Sequence, residues 1–361
     1  MKTKRILYIE FLRIFACLCV LFIHSPGNLL FMHYEVNSLK FWIYQVVLVL
    51  SRCGVPVFFM ISGAMLIKRD ESVKDIWKNR ILKTFIILFV FSALAYAGSA
   101  VVDHSFSIRQ FFVRFYGSYT NVAYWYLYAY IAMLISLPFI KAIARNITER
   151  QFWYLIALTF VLYELRSAGE FLILDNKLTV TNNLMPNWLF SSIVLYPCLG
   201  YYFAEKYDVE QNKKRLWIMV LISLASIALS CIMTGRYVMM TPEPKSSQIV
   251  SFHKMFEMIL AITVFVCVRT LFETHQVHEK AKNIIVFLGK RTLAIYLIHM
   301  FVVKLLGFTP FHSVLNGIFK DMKMLAALTH ILAVFLISLV LSIIAEKVLQ
   351  FLKDSVKHKA A

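Results

Sequence analysis

The stretch from Tyr8 to Gly27, YIEFLRIFACLCVLFIHSPG, is long and apolar enough to cross a lipid bilayer, and similar stretches recur along the chain. A hydrocarbon core about 30 Å thick takes roughly 20 residues of helix. Inside it every backbone N–H and C=O must be bonded within the protein, and uniformly apolar runs of this length meet that demand as α-helices. The runs fall near 6–26, 41–67, 83–102, 122–141, 152–166, 188–205, 215–235, 254–272, 284–306 and 325–350. The expected fold is therefore all-α: a polytopic membrane protein of about ten transmembrane helices. With 60% hydrophobic and 16% charged residues and a mean hydropathy of +0.69, the 361 residues lack the charged surface that a soluble chain needs. No Gly/Ser-rich linker and no internal repeat interrupts the pattern, so one integral-membrane domain over 1–361 is expected, without an attached soluble domain. The first run is too long for a cleaved signal peptide and has no small-residue cleavage site, so it should remain as a span.

A net charge of +18 raises the question of nucleic acid. The Lys and Arg residues answer it, because they lie in short blocks between apolar runs, as orienting loop charges do. With the N-terminus in the cytoplasm, 24 of the 38 fall in segments on the inner side and 11 outside, the other three lying within spans. The bias predicts both termini in the cytoplasm and excludes a nucleic-acid binder. The six cysteines all sit in apolar runs without ligand spacing, which reads as packing rather than disulfides or a metal site.

Ionisable groups at membrane depth are expensive and need a reason. Glu10, Arg13 and His24 share one face of the first helix, within roughly 60° at 100° per residue, and Arg13 and His24 stand about 16 Å apart along its axis. Mutual neutralisation accounts for Glu10 and Arg13 but not for His24 on the same face. In the second span, SRCGVPVFFMISGAML, Gly54 and Pro56 on one side and Ser62–Gly63 on the other should loosen the helix, with Arg52 beside the break. A kinked packing helix whose Arg52 pairs with a carboxylate is the plainer reading. Arg80 and Lys83 are i, i+3 neighbours at the mouth of the third span, where they orient the helix or bind phosphate. Trp125 and Tyr126 open the fourth span as an aromatic cluster. Tyr296 lies one turn before His299, which falls near mid-membrane on a continuous helix after Lys290. His253 and Glu257 read as a local i, i+4 pair.

These residues carry a resemblance. IEFLRIFACLCVLFIH, RCGVPVFFMISGAMLI, KNRILK, YWYLYAYIAMLISLP, YPCLGYYFAEK and LGKRTLAIYLIH, in that order, resemble the acyltransferase 3 family of integral-membrane acyltransferases over essentially the whole chain. The resemblance implies ten spans in the plasma (inner) membrane. It also implies transfer of an acyl group, commonly acetyl from acetyl-CoA, to a hydroxyl of an envelope glycan or lipid-linked saccharide, with no permanently bound cofactor. It makes His24 the essential histidine, Arg13 its partner and Glu10 the group that orients Arg13. Arg52, Ser62, Arg80, Lys83, Trp125, Tyr126, Tyr296 and His299 become candidates for binding donor or acceptor. Only Arg80 and Lys83 remain of the fuller arginine-rich motif that many members carry after the second span. A neutral imidazole in a low-dielectric site can take the proton of a hydroxyl as it attacks a thioester, and a transient acyl-histidine is chemically open as well. Charged spans and a broken second helix are equally natural in a transporter or flippase, the competing class.

Overall fold

The computed structural model describes residues 6–24, 35–174, 191–320 and 322–360. Among them there is helix and no strand. Short polar residues start the helices by accepting backbone N–H groups that the first turn leaves unbonded. Ser38 takes the Phe41 N–H, Ser72 that of Asp75 and Ser107 that of Gln110, while Thr148 and Gln151 form a reciprocal capping box. The helices are α1 (Leu7–His24), α2 (Leu39–Arg52), α3 (Gly54–Leu66), α4 (Val73–Val102), α5 (Ile108–Gly117), α6 (Trp125–Asn146), α7 (Glu149–Thr159), α8 (Arg166–Leu174), α9 (Ser192–Tyr201), α10 (Lys213–Met240), α11 (Ser246–Lys254), α12 (Glu257–Thr274), α13 (Glu279–Gly289), α14 (Thr292–Gly307), α15 (Phe311–Phe319) and α16 (Lys323–Ala360).

Among the described residues six segments are long and apolar enough to cross a membrane: α1, α2 with α3, α4, 122–146, α10 and 323–348. Two bent pairs, α11 with α12 at 48° and α13 with α14 at 60°, raise the number to eight if each pair is one span. The run at 152–166 is α7, a wide π turn at Phe160–Leu165 and the start of α8; that at 188–205 begins outside the described residues and continues as α9 and a π turn at Tyr202–Lys206. A third π turn, Trp77–Ile81, lies within α4.

α1 lies at the centre, packed against α2, α3, α12, α13, α14 and α16. A helix walled by protein on so many sides can keep polar side chains away from lipid. The second span breaks at Arg52–Gly54, as the sequence suggests, but Ser62–Gly63 does not loosen it. Ser62 Oγ donates to the Phe58 carbonyl at 2.8 Å and the helix runs on to Leu66. Gly63 serves closeness instead. A Cβ there would strike the Pro197 backbone, and one on Gly200 would strike the Met60 carbonyl, so α3 and α9 meet backbone to backbone. The run at 284–306 is not one helix either. It bends at Gly289–Arg291, where a Cβ on Gly289 would collide with Glu10. All six cysteines are free, five of them buried; Cys53 Sγ donates to Leu50 O at 2.9 Å.

One end of the molecule is basic and stapled. Cations there bond the carbonyls that helix C-termini leave open. Arg145 donates to Ile67 O at 2.6 Å, Lys141 to Arg69 O at 2.7 Å and Lys206 to Arg145 O at 3.0 Å. Arg269 reaches Phe203 O at 2.5 Å and Tyr207 O at 2.9 Å, and Lys68 pairs with Glu205 at 2.7 Å. This basic face joins loops that the charge pattern places on one side of the membrane.

Candidate functional site: two cavities and a histidine pair

α1 carries its polar residues to both ends of the interior. Near the basic face, Arg13 Nη1 donates to Glu10 Oε1 at 2.9 Å, and Glu10 is buried against Gly289. Arg13 opens into a cavity of about 370 Å³ that also receives Ser62, Arg80, Tyr126 and Tyr296. Arg69 and Lys290 line it too, which the sequence did not single out. Four cations therefore line this cavity, with Glu10 paired to Arg13 and Glu71 to Arg80, so positive charge is in excess there. Lys83 takes no part: it is exposed, and Thr84, whose Oγ1 donates to Arg80 O at 2.9 Å, occupies the lining position one turn beyond Arg80. Arg80 is not a free fork. Its Nε and Nη2 hold both oxygens of Glu71 at 2.7 and 2.5 Å, and that hydrogen bond from Arg80 holds the Glu71 carboxyl below the usual carboxylate range.

At the far end, His24 lines a smaller cavity of about 190 Å³ with Arg52 and Trp125. Tyr196, Lys254 and Glu257 complete it. The helix bend between Lys254 and Glu257 overturns the local pairing expected of His253 with Glu257. His253 Nε2 lies 2.7 Å from Gln45 Oε1, and Glu257 Oε1 accepts from the Tyr196 hydroxyl at 3.4 Å. Arg52 has no ion pair among the described residues, and its Nε and Nη2 are buried without a hydrogen-bond partner there. The guanidinium thus faces a cavity that holds a carboxylate instead of being consumed by a structural pair.

An aromatic partition separates the cavities. Phe58 lines the first and Phe59 the second, and the Tyr126 ring stands 5.8 and 5.1 Å from them. Tyr296 is 5.7 Å from Tyr126, and its hydroxyl is committed to the Ala123 carbonyl. One turn on, the fully buried His299 ring lies 5.6 Å from Tyr296 and 5.5 Å from His24. His299 Nδ1 sits 2.5 Å from Tyr296 O, which requires the proton on Nδ1 and leaves Nε2 as an acceptor with no partner among the described residues. The sequence places His299 near mid-membrane but not opposite His24; that proximity needs the 60° bend before α14.

Glu164 is a buried carboxylate that the sequence analysis passed over. From the π turn after α7 it accepts the Met258 N–H at 2.9 Å, capping α12 beside Glu257. Its signal was available as a lone acidic residue within LTFVLYELRSAG, an otherwise apolar run. Among the described residues no three His, Cys, Asp or Glu side chains converge as metal ligands.

No curated protein and no solved structure matches the chain. A family model described as an acyltransferase domain matches residues 6–347, nearly its whole length, and the chain accordingly belongs to the acyltransferase 3 family of membrane acyltransferases.

Proposed function

We propose that the protein transfers an acyl group, most simply acetyl, from an acyl-CoA at the basic face to a hydroxyl of an envelope glycan or lipid-linked saccharide at the far face. The observation that carries this reading is one helix, α1, with Arg13 in one cavity and His24 in the other. Donor phosphates would meet Arg13, Arg69, Arg80 and Lys290, and the thin acyl-bearing arm would approach along the aromatic partition. The acceptor would lie in the far cavity beside Trp125, Arg52 and Glu257. His24 takes the hydroxyl proton as the oxygen attacks the thioester carbonyl; the C–S bond breaks, and the imidazolium returns the proton to the departing thiolate. His299, 5.5 Å away, positions the His24 ring. The six segments, the two bent pairs, the 149–174 segment and the 192–206 segment would together make ten crossings of the plasma membrane, with the basic face and both termini in the cytoplasm and the chain acting as a single membrane unit.

The test is purified protein with acetyl-CoA and extracted envelope glycan, followed by release of CoA and by mass spectrometry of the glycan. His24→Ala should lose a factor of about 10² to 10⁴, the weight of a general base, while inserting normally. Lys83→Gln, outside both cavities, should retain activity. Near-normal transfer by the His24 variant would remove this histidine from the chemistry. A protein that moves the saccharide across vesicles without releasing CoA would instead be a transporter.

A further inference from the structure

A further cavity, about 1080 Å³, is separate from the two above. It lies between α7, α10 and α12, and its two ends differ in chemistry. At the basic face stand Arg150, Arg215 and Glu149. Arg215 Nη1 bonds Glu149 Oε1 at 2.6 Å and its guanidinium lies 5.3 Å over the Trp153 ring, whereas Arg150 is exposed and has no ion pair among the described residues. One positive charge is left over at the mouth. Deeper in, the walls are Phe160, Ile218, Ile222, Ile259 and neighbouring apolar side chains, the polar lining being Thr148, Glu149, Arg150, Arg215 and the indole of Trp153. Arg150 to Phe160 spans ten helical residues, about 15 Å, which is half of a bilayer core of about 30 Å. Alongside, α10 turns Trp217 and Leu221 outward.

We propose that this groove holds one anionic phospholipid of the leaflet at the basic face, its phosphate at Arg150 and Arg215 and one acyl chain along α10 and α12. Charge complementarity selects the occupant. A sugar or nucleotide would leave hydroxyls and ring nitrogens unpaired against the isoleucine walls, while an acyl chain needs no partners there. Lipid tails outside are as apolar as the groove, so discrimination must come from the headgroup, where each arginine near an anionic lipid weighs about fivefold in affinity. The lipid would brace α12, which carries Glu257 at one end and Arg269 at the other.

The full chain, exchanged into bilayer nanodiscs of equal phosphatidylglycerol and phosphatidylcholine and then extracted, should retain phosphatidylglycerol above the bulk ratio by mass spectrometry. Arg150→Gln should cut that enrichment about fivefold; Arg150→Gln with Arg215→Gln should bring it to the bulk ratio. Ile222→Trp, which fills the groove, should release both lipids, with circular dichroism reporting an intact fold. Glycerol phosphate at millimolar concentration should not displace the lipid. Equal retention of the two lipids, undiminished enrichment in Arg150→Gln, or displacement by glycerol phosphate alone would each overturn the proposal.

Discussion

Arg80 reaches the basic-side cavity with its guanidinium already held by Glu71, so an incoming phosphate must displace a carboxylate before it can use that fork. Glu71→Gln removes the competitor. It should lower KM for the acyl-CoA about fivefold, the upper end for a partly exposed ion pair, with kcat little changed; an unchanged or raised KM would show that Glu71 does not compete. The same pair has a pH signature. Because Arg80 holds the Glu71 carboxyl below its unfolded value of about 4.3, the pair contributes fully above that value and its contribution is lost as pH falls through the folded pKa. The difference in melting temperature between wild type and Glu71→Gln should therefore stay constant between about pH 5 and about pH 8 and close below about pH 4. A difference that grew toward pH 5 would contradict this sign. At this scale the sequence singled out Arg13 and His24, since an ionisable group in an apolar run marks itself. Glu257 was misassigned to His253 because helical spacing holds only where the helix is straight.

The contact of α3 with α9 belongs to the element scale. Gly63 and Gly200 each face a backbone carbonyl or its neighbouring atoms, which cannot rotate aside as a side chain would. Gly200→Ala should therefore destabilise the protein by about 3 kcal/mol, the upper end of overpacking costs, measured by unfolding in detergent. Gly98→Ala on α4, where an added Cβ meets nothing within 4 Å, should be neutral or stabilise by up to about 1 kcal/mol through helix propensity. Equal effects of the two would remove the close approach as the reason for Gly200. The sequence marked Gly63 but gave it the wrong task, because a glycine that loosens one helix and a glycine that admits another look the same in one dimension.

For the whole molecule, the charge bias predicts a cytoplasmic location for the loops stapled at the basic face. In a cysteine-free background, cysteines placed at Lys74 and Lys213 should resist a membrane-impermeant thiol reagent in intact cells, and one at Lys245 should label. Labelling of the first two from outside would reverse the orientation.

By itself the sequence determined the helical class, the membrane setting, the family and the polar stripe on α1. Each of these rests on side-chain type and on periodicity along one chain, which local physics reads directly. The tertiary structure alone decided which residues share a cavity. The meeting of His24 with His299, of Arg52 with Glu257 and of Arg13 with Lys290 depends on bends at 255–256 and 290–291 and on how closely helices remote in sequence approach. Those bends are set by packing between elements, such as Gly289 against Glu10, and a packing constraint from 279 residues away leaves no local periodicity to read.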